Sequence, residues 1–112
     1  MSKRSKACAI PKAVKRKVYE RDNHRCVACG RWVEERFACA HYIARAHGGL
    51  GVEENILTLC EDCHRAFDHE AGDKSKEVAE AAYAHLCALY GKEKITREAL
   101  TYNKWKDLEK WN

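Results

Sequence analysis

The sequence predicts a small α+β domain held together by a metal, and three observations carry that expectation. Two Cys-x-x-Cys pairs, Cys26/Cys29 and Cys60/Cys63, stand thirty residues apart. Short apolar runs of strand character lie between them, at Trp32-Val33 and Phe37–Ile43. Helical patterns flank this segment on both sides. At 112 residues the chain is one domain, and with 9% aromatic and 34% charged residues its core should be modest enough to need a staple.

The expected elements run in order. Residues 1–10 read as flexible, within a basic arm over 1–13. Pro11 suits the first turn of a helix, and Val14, Val18 and Tyr19 then recur at helical spacing. Asp22-Asn23-His24 breaks that helix before the first cysteine pair. The two apolar runs read as the strands of a hairpin, followed by the loop Gly48-Gly49-Leu50-Gly51. A helix should start near Asp62, where Glu61 and Asp62 suit its positive end, and stop at Gly72. The core is thus expected over 14–72, with a helical extension over 73–112. In that extension Val78, Ala82, Leu86 and Leu89/Tyr90 form an apolar stripe closed by Gly91. Thr96 reads as an N-cap, Ile95 and Leu100 as a hydrophobic staple, and Leu100, Leu108 and Trp111 as one face of the last helix.

Seven cysteines, four of them in two short pairs, fit zinc in a reducing compartment better than a secreted disulfide framework. Four thiolates complete the tetrahedral shell that Zn²⁺ favours and leave no open position, so this zinc should be structural. A redox-active Cys-x-x-Cys would be expected in a thioredoxin-like βαβ unit, which the chain lacks. Cys8, Cys39 and Cys87 read as ordinary thiols. The interval between the pairs holds a hairpin and a loop, and a helix departs from the second pair. That is the plan of a treble clef, which would set His41 on a strand facing His64 on the first turn of the helix.

Charge is uneven. The chain carries a net +4, with nine of its Lys/Arg and only Glu20 and Asp22 among the acids in residues 1–25. Such a front end suits a polyanion, since phosphate contacts supply most non-specific affinity, or is a solvated arm. No apolar run reaches the length of a membrane span and no signal-peptide pattern is present, so a cytosolic protein is expected, or a nuclear one where the host has a nucleus.

The runs Cys26-Val27-Ala28-Cys29, Ala40–Gly51 around His41, Asn55–Cys60 and Cys63-His64, with Asp68 beyond, resemble the HNH endonucleases, particularly small zinc-stapled members of phages and prophages. The resemblance spans roughly residues 14–72. It implies a ββα-metal core, divalent-metal-dependent hydrolysis of DNA phosphodiesters, and 5′-phosphate and 3′-hydroxyl ends. The resemblance makes His41 the general base, Asn55 the loop-bracing amide and His64 a ligand of a catalytic Mg²⁺, Mn²⁺ or related ion. An imidazole with a pKa near working pH suits a base, and an amide that donates and accepts suits a brace. Asp68, four residues after His64, shares its helix face and is either a second ligand or a solvated carboxylate. His69, five residues after His64, is expected to point elsewhere and is the weaker candidate. Many family members carry an acidic residue or a second His just before the base, where this chain has Ala40, which cannot coordinate.

Arg45, His47 and Arg65 either grip phosphate or are solvated surface charge, and Lys12, Lys15, Arg16 and Lys17 are expected along the DNA backbone. The resemblance further implies a phage-encoded or bacterial cytoplasmic protein, with phage terminase or packaging proteins as partners. The alternative is a non-catalytic treble-clef module that binds nucleic acid or protein.

Overall fold

The computed structural model describes residues 2–69 and 72–103. Ser2 caps helix α1 (Lys3–Cys8) by accepting from the Ser5 N–H at 3.1 Å. The stretch expected to be part of a flexible arm is therefore a helix, because the chain carries a dock for it. Cys8 is buried, the Gly51 N–H donates to the Ala7 carbonyl at 2.9 Å, and Arg4 Nη2 donates to the Ala46 carbonyl at 3.2 Å. Only glycine permits this approach: a Cβ on Gly51 would stand 1.9 Å from the Ala9 carbonyl oxygen.

Helix α2 (Lys12–Arg21) follows Pro11, which takes the N-cap position one residue before the first turn. Val18 and Tyr19 are buried as their spacing predicts, and the Tyr19 hydroxyl donates to the Val33 carbonyl at 2.7 Å. Asn23 and His24 break the helix with φ of 57° and 62°. The His24 ring lies flat on Tyr19, with centroids 4.2 Å apart.

The strand pairing departs from expectation. Trp32 makes an isolated bridge to Arg25, and Glu35–Phe37 is a 3₁₀ turn, so Trp32-Val33 does not pair with the Phe37–Ile43 run. Strand β1 (Ala40–His41) instead pairs antiparallel with β2 (Ile56–Leu57), with Ala40 opposite Leu57 and His41 opposite Ile56. The glycine loop is thus the connection between the two strands. It contains a second 3₁₀ turn at Arg45–His47.

Helix α3 (Glu61–Asp68) starts where expected, with Cys60 as its N-cap, but ends at Asp68 rather than running to Gly72. Gly72, with φ of 87°, opens α4 (Gly72–Tyr90). Ser75, Val78, Ala82 and Leu86 bury one face of α4, which packs against α3, whereas Leu89 stays exposed. Gly91 ends the helix with φ of 89°. Thr96 caps the short α5 (Arg97–Leu100) by accepting from the Ala99 N–H at 3.1 Å, and Ile95 and Leu100 are both buried. Leu108 and Trp111 lie outside the described residues.

A buried ionic network ties these layers together. The Asp22 carboxylate accepts from Arg21 Nε at 2.8 Å and Nη2 at 3.0 Å, from the Thr58 N–H at 2.9 Å, and lies 2.7 Å from His85 Nε2 on α4. Arg21 also donates to the Glu53 carbonyl at 2.7 Å and the Ile56 carbonyl at 2.8 Å. One carboxylate thus joins α2, the residue after β2, and α4. Burial alone would raise the Asp22 pKa, but the hydrogen bonds from His85 and Arg21 hold it below the usual aspartate range. A carboxyl with a lowered folded-state pKa adds stability above its unfolded value, and that stability is lost as pH falls through the folded value. Urea melts should therefore weaken steeply below about pH 4. Asp22→Ala should cost about 3–5 kcal/mol at neutral pH, because it leaves the Arg21 charge buried without its partner. An unchanged urea midpoint in that variant would contradict this account.

Candidate functional site

Each Cys-x-x-Cys turn is built by its own backbone. The Cys26 N–H donates to the Arg31 carbonyl at 2.7 Å, and Gly30, with φ of 79°, returns its N–H to the Cys26 carbonyl at 2.9 Å. In the second turn the Cys63 N–H points at Cys60 Sγ, 3.4 Å away. The Val27 N–H donates to the Thr58 carbonyl at 2.9 Å, which joins the two turns. All four sulfurs lie within 4.8 Å of one another, and Cys29 and Cys60 Sγ are 3.7 Å apart. Sulfurs at about 2.3 Å from a tetrahedral Zn²⁺ would be spaced by about 3.8 Å, so the set fits zinc. Burial opposes ionisation of Cys26, yet N–H groups of Cys60, Cys29 and Ala28 pull its pKa down to about 7. Burial and the neighbouring thiols push Cys63 up. A first thiolate thus suppresses the next, and a bound cation relieves that repulsion.

Asn55 is fully buried beneath the glycine loop. Its Oδ1 accepts from the Ile43 N–H at 2.8 Å, and its Nδ2 donates to the carbonyls of Ile43 at 3.1 Å and Leu50 at 2.9 Å. Its own carbonyl accepts from the Tyr42 N–H at 2.7 Å. This one side chain therefore clamps both ends of the loop that leaves His41. Gly49 packs into the same clamp, where a Cβ would meet the Ile43 carbonyl oxygen at 1.7 Å.

His41 Nε2 lies 2.9 Å from the Cys8 carbonyl oxygen. A carbonyl only accepts, so Nε2 carries the hydrogen and Nδ1 is the basic nitrogen of the neutral ring. Burial lowers the His41 pKa; the Cys8 carbonyl opposes that shift, and the charges of Arg45 and His64 add to it. His64 is close enough to act on His41 electrostatically, and on α3 its Nε2 stands 3.4 Å from Asp68 Oδ2. These two groups line an open cleft of about 480 Å³ together with Arg36, Cys39 and His69. Two donors at that spacing suit adjacent positions on one oxygen-preferring cation. The buried Ala40 offers no third donor. Among the described residues, the four cysteines are the one group of three or more such donors that converges.

The basic residues divide. Arg16 is paired with Glu20 at 2.7 Å and with Glu35, and Lys17 with Glu53 at 3.0 Å. Arg65 is held by Glu61 at 3.2 Å, and Arg45 reaches the Ser5 carbonyl at 3.4 Å. Lys12 and Lys15 make no ion pair among the described residues. Sequence reasoning missed the part played by Cys8, because a backbone carbonyl carries no residue-type signal. Gly51 was the available clue, read only as loop.

Two cysteine turns, a two-stranded hairpin and a helix leaving the second turn make a metal-stapled ββα unit. Residues 26–70 match the model of the HNH endonuclease family, and the metal-stapled ββα unit that they form is consistent with that family's fold. The match takes in both cysteine pairs, both strands and α3. Helices α1 and α2 before it, and α4 and α5 after it, lie outside the match. No curated protein matches the chain, and no solved structure does. Among the described residues no helix is long and apolar enough to cross a membrane.

Proposed function

We propose that the chain is a divalent-metal-dependent endonuclease that hydrolyses DNA phosphodiester bonds by nicking or double-strand cleavage. The observation that carries this reading is His41. Its Nε2–H is committed to the Cys8 carbonyl, its ring is kept neutral by burial, and Nδ1 is left to act as a base. In this mechanism Nδ1 takes the proton from the attacking water. Asn55 holds the loop that aims the ring. His64 and Asp68 supply a nitrogen and an oxygen donor for a Mg²⁺- or Mn²⁺-like ion. That ion, when bound, stabilises charge developing on the phosphate and the leaving oxygen. Departure of the 3′ oxygen leaves 5′-phosphate and 3′-hydroxyl ends. Lys12, Lys15, Arg45 and Arg65 contribute charge toward the backbone, the last two after leaving their present partners. The resemblance in sequence extends the reading to a phage or prophage enzyme in the bacterial cytoplasm, acting beside terminase or packaging proteins.

Supercoiled plasmid tests this. Nicking should require Mg²⁺ or Mn²⁺ and fall about 10²–10⁴-fold in His41→Ala, with zinc content unchanged. The rate should also fall as pH drops through a His41 pKa below the ordinary value of about 6.5, because the base is then protonated. Binding without nicking in any divalent ion would favour a non-catalytic nucleic-acid module, the reading that the missing donor at Ala40 keeps in view.

A further inference from the structure

A second cleft, of about 630 Å³, shares one lining residue, Asp68, with the first. Its floor includes Tyr42 and Phe67, whose ring centroids are 6.3 Å apart at an interplanar angle of 39°. His47 from the glycine loop, Lys76 from α4 and Arg97 from α5 also line it. Among the described residues none of these three is in an ion pair, unlike Arg16, Lys17 and Arg65. The volume falls within the range of about 300–1,000 Å³ typical of small-ligand sites.

We propose that this cleft seats one unpaired nucleotide of the substrate strand, next to the phosphate being cut. The inference rests on the nuclease reading for its position in the reaction, but its binding chemistry stands separately. Aromatic rings accept a base by its face whatever its identity, and free cations take the flanking phosphate. Without a bound cation Asp68 repels phosphate from the shared wall, so the flanking anion goes to Lys76 and Arg97. A paired base cannot enter without leaving its stack, which costs least at a mismatch, flap or single strand. The substrate class is therefore DNA with an unpaired nucleotide at the cut, in preference to perfect duplex.

The test measures binding in the His41→Ala background without added Mg²⁺, on duplexes that carry 2-aminopurine either unpaired or fully paired. The unpaired probe should bind about tenfold more tightly, and its fluorescence should be quenched by stacking. Lys76→Glu/Arg97→Glu should abolish both the preference and the quenching. Lys74→Glu/Lys92→Glu makes the same charge change outside the cleft and should keep both. An equal loss in the two double variants, or no preference in the first place, overturns the proposal. Cleavage by the intact protein separates the two readings. Metal-dependent cutting with no preference for the unpaired site removes the cleft proposal and leaves the nuclease. Selective binding and quenching with no cutting removes the nuclease and leaves the cleft.

Discussion

Cys60→Ser is expected to unfold the domain at room temperature. Cys60 is buried, its sulfur lies 3.7 Å from Cys29 Sγ across the two turns, and it also caps α3 by facing the Cys63 N–H. Structural zinc sites of this kind contribute about 10–16 kcal/mol in small domains, whereas a whole domain is stable by about 5–15 kcal/mol. A serine in that shell therefore removes as much as the fold has in reserve. The check is zinc content together with a thermal melt, and Cys87→Ser is the control. Cys87 lies on α4 away from the cluster, so its variant should keep zinc and lose about 1 kcal/mol or less. A Cys60→Ser protein that melts like the parent would show that the staple is not what holds the fold.

Gly51→Ala is expected to disable the site while sparing the staple. The added methyl would lie 1.9 Å from the Ala9 carbonyl oxygen and 2.5 Å from its carbon, both backbone atoms with no room to yield. Helix α1 must then lift, and the Cys8 carbonyl leaves His41 Nε2. Misplacing a catalytic group by about 1 Å costs roughly 10²-fold in rate, so kcat for nicking should fall by that order with little change in KM. Nitrogen NMR of the imidazole gives a readout that general destabilisation would not mimic. The single Nε2–H tautomer of the parent should become a mixture in the variant. Full activity, or an unchanged tautomer, would remove α1 from the site.

The staple was legible because each cysteine turn is local: a repeated Cys-x-x-Cys spacing, closed in the first turn by the positive-φ Gly30 and in the second by the start of α3. The start of α3, the cap at Thr96 and the buried stripe Val78/Ala82/Leu86 were legible for the same reason. The strand partner was not, since two-residue strands are too short to show a period and the pairing skips the whole glycine loop. Gly72 misled because a left-handed glycine can open a helix as well as close one. The Asp22–His85 contact joins residues far apart in sequence, and neither residue type announces the other. Of the candidate site, the order His41, Asn55, His64 was visible, and the bracing of the Ile43–Leu50 loop by Asn55 follows its amide chemistry. The dock that fixes the His41 tautomer runs through main-chain atoms.

The position of the second cysteine turn bears on how such a protein is made. On the ribosome, His41 and Asn55 emerge before Cys60, Cys63 and His64. A nascent chain therefore displays the His41 imidazole without the cysteine scaffold that orients it. On the proposed function, hydrolytic competence would wait for the last thiolate of the staple to leave the exit tunnel. Translation order alone would then delay an active site until the chain is long enough to fold.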